Sequence, residues 1–310
     1  MKIYRIKIKT RSSFITPWHS DTVFGSLCWC LVQAKGQDRL NELLNQFKEG
    51  KYPFVISNGF YGDYLPKPLL GNRLSTISDL NNREEAIKIF KKAKSIKKIK
   101  ELSLNEFNAV INCGYIELEE KKKLNIDAQI AHNQVSRVSN TTEEGALYEE
   151  YESFMHEDSY ISMYFCVSGE WYDDLCSMFE LLALKGFGKA ASRGKGAFFV
   201  EDISEFNGFD IPCDPNSYII MSNYIPKKNE PIIGQYKCFV KCGKLGGEYA
   251  ASNNPFKKPI MMISPGAVFM SKAEKYACGR VIERVSNEHK NVIGFGCSLC
   301  IPSRIKFEPL

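Results

Sequence analysis

The chain has 310 residues, 44% of them hydrophobic and 25% charged, with a net charge of +5. That length supports two domains with a core each, and the composition is that of a soluble globular protein. No apolar run is long enough to span a bilayer, and Met1–Lys9 lacks the apolar stretch of a secretory signal, so the sequence points to the cytoplasm and away from membranes.

At the start, Tyr4, Ile6 and Ile8 alternate with Arg5, Lys7 and Lys9, the pattern of a strand with one solvated, positive face. A loop with Pro17 follows. Ser20 or Asp21 is placed to cap a helix whose apolar stripe is Phe24, Leu27, Cys28 and Leu31. A second helical run carries Leu40, Leu43, Leu44 and Phe47 and stops at Gly50. Tyr52–Ile56 reads as a short buried strand, and the two prolines of Leu65–Leu69 make that stretch irregular. Residues 88–100 hold seven lysines and no acid, and a second cluster sits at Lys121–Lys123. Such a run is foremost a solvated face that can steer an anion over distance. Residues 128–154 are polar and extended, with a turn near Ser139–Gly145, and residues 118–150 are the candidate for a projecting hairpin. Tyr160–Val167 alternates as a half-buried strand, and Glu170–Leu184 has helical spacing with Leu175, Met178, Phe179 and Leu182 inward. A glycine-rich stretch then leads into a strand at Ala197–Val200.

The resulting order is βαββαβ with insertions, the ferredoxin-like pattern of RRM domains. Beyond residue 207 helical periodicity fades. Ser217–Met221, Gln235–Cys242, Pro259–Ile263, Ala267–Met270, Arg280–Val285 and Val292–Leu299 all read as strands. The expected fold is α+β with tandem ferredoxin-like (RRM-like) domains: residues 1–206, and a degenerate, β-rich second domain over 207–310.

The stretch 186–196 reads Gly-Phe-Gly-Lys-Ala-Ala-Ser-Arg-Gly-Lys-Gly. Its glycines allow close approach of main chain to a ligand, and exposed backbone N–H groups there suit phosphate. Lys189, Arg193 and Lys195 add charge, and the Arg193 fork matches phosphate geometry. A P-loop or Rossmann turn follows a strand and opens a helix; this loop follows a helix and enters a strand, so neither applies. The competing reading is a flexible connector.

The loop resembles the glycine-rich signature of the RAMP superfamily of CRISPR proteins, G-h-G, a basic spacer, then G-h-G. Phe187 fills the first hydrophobic slot, and Lys195 departs from the pattern in the second. Pro17–Gly25 (Pro-Trp-His-Ser-Asp-Thr-Val-Phe-Gly), Leu65–Leu70, and Ala131–Arg137 (Ala-His-Asn-Gln-Val-Ser-Arg) with Thr141–Tyr148 resemble segments of the end-capping RAMP subunit of type III-A effector (Csm) complexes. The resemblance spans residues 17–196. It implies a non-catalytic subunit without cofactor or metal that holds the 5′ tag of the guide RNA (crRNA). The implied protein partners are the large polymerase-like subunit and the backbone RAMP subunit, with target RNA met indirectly. The residues implied to bind RNA are His19, Ser20, Asp21 and Thr22, then His132, Asn133 and Arg137, then Gly186, Gly188, Lys189, Ser192, Arg193, Gly194, Lys195 and Gly196.

Each group has a plainer reading. Asp21 can simply cap its helix. His19 can instead be the general base of a metal-independent RAMP endoribonuclease that processes repeat RNA, the competing function. Residues 132 and 137 point to opposite faces of a regular strand, so His132, Asn133 and Arg137 share a ligand only if the segment bends. Eleven cysteines without regular spacing read as reduced thiols. Cys238 and Cys242 with Cys297 and Cys300 suggest zinc, but residues four apart on a strand lie about 13 Å apart, too far for one tetrahedral ion.

Overall fold

The computed structural model describes residues 2–70, 98–112 and 121–306, together with residues 87, 91 and 94. Of the basic run, Lys91, Lys94, Lys98 and Lys100 are described and all are exposed. Lys88, Lys92 and Lys97, and residues 118–120 of the expected projection, lie outside the described residues.

In chain order, β1 (Ile3–Thr10) leads to α1 (Ser20–Lys48), β2 (Phe54–Ile56), β3 (Phe60–Tyr61) and β4 (Leu65–Pro66). After these come β5 (Glu101–Leu102), α2 (Leu104–Ile111), β6 (Asn125–Val135) and β7 (Thr142–Met155). The first half closes with β8 (Ile161–Val167), α3 (Tyr172–Lys185) and β9 (Phe198–Glu205). The second half contains β10 (Ser217–Ile220), β11 (Gly234–Gln235), β12 (Cys238–Lys241), β13 (Ile260–Ile263), β14 (Val268–Met270), β15 (Ala277–Ile282) and β16 (Gly294–Ser303). The chain is thus α+β, with many strands and few helices.

The first sheet runs β2-β8-β1-β9, all antiparallel, with β3 also on β8. Taking β6 and β7 as an insertion, this is βαββαβ with the first strand central and the last beside it. Ile6 faces Met163 and Ile8 faces Ile161, and Tyr4 stacks on Phe165 at 5.3 Å, so the alternation of β1 becomes one apolar face. β8 departs from the half-solvated strand expected: Ser162 and Tyr164 are buried as fully as Ile161 and Phe165. Phe206 and Phe209, beyond the end of β9, cover Tyr164 with ring centroids at 4.9 and 5.2 Å.

α1 joins the two helical runs expected around Phe24 and Leu43 and breaks between them at Gly36, whose φ of +84° suits only glycine without strain. Neither Ser20 nor Asp21 caps it. His19 is the N-cap in extended conformation, and its side chain makes no capping bond.

The second sheet runs β11-β14-β10-β16-β15, entirely antiparallel. Among the described residues it carries no α-helix, only a 3-10 turn at Gly247–Ala251. β12 and β13 pair as a separate ribbon. The two sheets share one hydrophobic core, in which Phe24 stacks on Phe295 at 3.9 Å, Phe47 meets both edge-on and Phe54 packs tilted against Phe24 at 5.9 Å. Polar bonds also cross the junction: Ser222 Oγ donates to the Ile56 carbonyl at 2.6 Å and Asn58 N–H to Met221 at 2.9 Å.

Candidate nucleic-acid interface

Four elements meet at one place: the segment Ser12–His19 after β1, the start of α1, the β6–β7 hairpin and the glycine loop between α3 and β9. The segment after β1 carries the joints. Phe14 pairs with Ser153 of the hairpin through two backbone bonds of 3.0 and 2.9 Å. Gly196 N–H donates to Ser13 O at 2.7 Å, and Lys189 N–H to Thr16 Oγ1 at 2.8 Å. Trp18 is buried against Phe187 at 4.3 Å, which seats the loop's hydrophobic residue beside the start of α1.

The loop is not a flexible connector. Gly188 has φ +89° and lies so close to Thr16 that an added Cβ would stand 2.5 Å from the threonine Cβ; at Gly196, φ +64°, a Cβ would meet the Phe187 carbonyl at 2.0 Å. Ala191–Arg193 form a 3-10 turn. The expected array of free N–H groups is smaller than the sequence suggested. Those of Gly186, Phe187, Lys189, Arg193, Gly194, Lys195 and Gly196 are used within the fold. Among the described residues, those of Gly188, Ala190, Ala191 and Ser192, at and before the exposed turn, have no intramolecular acceptor.

The cations are also partnered. Lys189 Nζ lies 2.6 Å and Arg193 Nη2 2.8 Å from the Glu150 carboxylate, and Arg193 Nη1 donates to Tyr148 Oη at 2.8 Å. Lys195 Nζ reaches Glu152 at 2.7 Å. Glu150 and Glu152 point to one face of β7, two residues apart. Lys195, where the RAMP pattern has a hydrophobic residue, is explained by this contact: Glu152 is fully buried and needs a cation. Ser13 donates to Glu152 at 2.5 Å and His132 Nε2 lies 3.2 Å from it. Hydrogen bonds from Lys189 and Arg193 hold the Glu150 carboxyl below its ordinary range. Burial opposes ionisation of Glu152, but the bonds from Lys195, Ser13 and His132 outweigh it and also lower its pKa. Three cations against two carboxylates leave a small local excess of positive charge on a surface where Lys189, Ser192, Arg193 and Gly194 are exposed.

His132, Glu150 and Glu152 are the one group among the described residues with metal-ligand spacing. Lysine and arginine already bind both carboxylates, so an ion there would have to displace them; the donor set suits an ion-paired network better than a metal.

The structure separates the hairpin residues that sequence grouped together. His132 faces the loop and stacks on Tyr148 at 5.4 Å. Asn133 lies on the other face, bonded to Thr142 Oγ1 at 2.9 Å. Arg137 stands exposed in the turn at the tip with no partner among the described residues.

At the head of α1, Ser20 is fully buried; it donates its N–H to Asn58 Oδ1 at 2.9 Å and its Oγ accepts from Asn223 N–H at 3.3 Å. It supports the fold and offers nothing to a ligand. Asp21 is bound by Asn223 Nδ2 at 2.7 Å and by Lys241 at 3.1 Å. Lys241 of β12 also donates to His19 Nδ1 at 3.0 Å and Thr22 Oγ1 at 3.1 Å. Burial, and then the Lys241 charge, push the His19 pKa below its usual value.

Sequence reasoning missed Ser13, Thr16, Glu150, Glu152 and Lys241. The Glu150/Glu152 spacing was a visible signal for one strand face, but nothing local ties either to a loop forty residues on. Lys241 comes from the other half of the chain.

No family profile matches the chain, and no curated protein matches it. Solved structures do share its fold. A chain of a Csm1–Csm4 cassette in complex with pppApA superposes with TM-score 0.64 at 19% identity over 99% of both chains. One from a Csm1–Csm4 cassette with AMPPNP gives 0.64 at 20% identity over 100% of both. One from the Csm3–Csm4 subcomplex of a type III-A CRISPR-Cas interference complex gives 0.60 at 16% identity, again over 100% of both. The chain therefore shares the fold of a chain from these Csm assemblies. Csm4 is the component that these assemblies have in common.

Proposed function

We propose that this chain is a Csm4-type subunit of a type III-A CRISPR effector, binding the 5′ tag of the crRNA and docking the large polymerase-like subunit and the backbone RAMP subunit, without turnover of its own. The observation that carries this reading is the likeness in fold, end to end, to chains from assemblies that share Csm4. The tag would lie along the exposed turn Ala190–Gly194, beside His132 and Tyr148, toward the head of α1. There it meets free N–H groups, an arginine fork and aromatic rings, the donors and stacking faces that single-stranded RNA uses. The second, all-strand sheet fits the reading of residues 207–310 as a degenerate ferredoxin-like unit.

The state of His19 supports binding over cleavage. Its Nδ1 accepts from Lys241, so the neutral ring carries its proton on Nε2 and presents a donor, not a base. The test is Lys189→Ala with Arg193→Ala, assayed for crRNA retention in the assembled complex across a salt series. Retention should fall and the salt slope should drop by about one unit for each phosphate no longer neutralised. Unchanged retention and slope would remove the loop from the site. Cleavage of repeat RNA in EDTA by the lone protein, abolished by His19→Ala, would make it an endoribonuclease.

A further inference from the structure

β11 pairs only with β14 and β12 only with β13, so the other edge of both strands is free among the described residues. Apolar side chains stand exposed on these strands, on the residues that lead into β11 and on the β13 partner of β12. Ile232 and Ile233 are 77% and 68% exposed, and the cross-strand pair Val240 and Met261 are 60% and 67% exposed. Phe256, at the far end of the same ribbon, is as open. A monomer normally blunts a free edge or breaks up such a patch; where one persists, it marks an interaction site.

The charged frame of the patch is predominantly positive, with Glu248 its one exposed carboxylate. Residues 226–272 contain eight lysines and two glutamates, so their net charge, +8 − 2 = +6, exceeds the +5 of the whole chain. Glu230 is turned inward, accepting from Tyr224 Oη at 2.8 Å and Gly279 N–H at 2.9 Å. Lys228, Lys237, Lys244, Lys258 and Lys272 are exposed and have no carboxylate partner among the described residues.

We propose that this edge docks a protein partner that presents an apolar strand or face ringed by carboxylates. The inference rests on the reading of the chain as a subunit of a complex, and adds where one protein neighbour sits. Lysines alone would suit RNA equally. The exposed centre favours protein, because Ile232, Ile233, Val240 and Met261 have no aromatic face on which a base can stack, Tyr236 is already stacked on Phe269 at 5.5 Å, and the Phe256 ring has Lys244 Nζ 6.0 Å from its centroid.

The experiment co-expresses the full chain with the Csm1-type and the Csm3-type subunits of its own host and measures association with each. Ile233→Asp with Val240→Asp should weaken association with one of them at least about tenfold, as disruption of an interface centre does, while RNA binding and melting temperature stay unchanged. If the aspartates impair folding, Ile233→Thr with Val240→Thr keeps strand propensity and should give a smaller loss in the same direction. Association of both subunits unchanged by either variant would overturn the proposal alone. Loss of RNA binding with protein association intact would assign the edge to RNA and overturn it as well. A wild-type chain that joins neither subunit would overturn both this surface and the functional reading beneath it.

Discussion

Arg193 and Glu150 lie 43 residues apart in sequence, yet Arg193 Nη2 donates to the Glu150 carboxylate at 2.8 Å. Lys189 meets the other oxygen of the same carboxylate. Glu150 thus occupies the two exposed cations of the glycine loop, in the position a phosphate would take. Glu150→Gln is expected to leave loop and hairpin in place, because the amide oxygen still accepts from Arg193, while removing the competing charge. RNA affinity should rise severalfold at low salt, and the salt slope should steepen by about one unit for each cation released. Fluorescence titration of a 5′-tag oligonucleotide over a salt series checks this. A fall in affinity would mean that Glu150 chiefly positions the cations.

Glu152 has a different part. It is fully buried, and Lys195, Ser13 and His132 converge on it. Glu152→Ala leaves the Lys195 ammonium without its partner, at a cost of about 2–3 kcal/mol, below the full penalty for breaking a buried pair because Lys195 stays partly hydrated. Adding Lys195→Met should restore part of the loss, and urea unfolding of the single and double variants measures both. Both hairpin carboxyls titrate below their ordinary value of 4.5. Their contribution to stability is therefore complete above that pH and is lost as pH falls through the lowered values. Unfolding midpoints taken from pH 6 down to pH 3 should drop in that window, and less so in the double variant.

The fold of the first half was legible because its signals are local. The alternation of Tyr4–Lys9, the helical spacing around Phe24 and Leu175 and the glycine-rich entry to β9 each repeat within a few residues. Tyr164 was misjudged as solvent-facing because the rings that cover it, Phe206 and Phe209, lie more than forty residues away. The candidate site was legible in its parts, and only the structure supplies their pairing. Charge alone marked Lys189, Arg193 and Lys195 as free for phosphate; the carboxylates that hold them lie on another element. Ser20 looked like a polar residue at a helix start, and its burial follows from Asn58 and Asn223, which sequence spacing does not connect to it.

Two glycines of the loop separate backbone strain from crowding. Gly194 has φ +82° with open space around it, so Gly194→Ala should cost only the left-handed strain of about 1–2 kcal/mol. Gly196 has φ +64° and a Cβ there would stand 2.0 Å from the Phe187 carbonyl. Gly196→Ala must break the close approach that seats Phe187 on Trp18, and should cost more than Gly194→Ala in both melting temperature and RNA binding. Equal effects would mean that the loop relaxes around an added methyl.

His19 offers a spectroscopic readout at the head of α1. Burial and the Lys241 ammonium both disfavour its charged form, and together they outweigh Asp21, so the ring titrates below its ordinary value of 6.5. Because the folded state resists protonation, stability is unaffected above that pH. It declines as pH falls from 6.5 toward the lowered value, where only the unfolded chain takes up the proton. Lys241→Met removes the second cause and leaves burial and the opposing Asp21 carboxylate to act on the ring. The His19 ring resonances should then titrate at higher pH than in the wild type. Their Nε2 signal should also lose the protonated-nitrogen character that the Lys241 bond to Nδ1 imposes. A His19 titration unmoved by Lys241→Met would show that the ammonium does not hold the ring, and with it would go the argument that His19 presents a donor to the RNA.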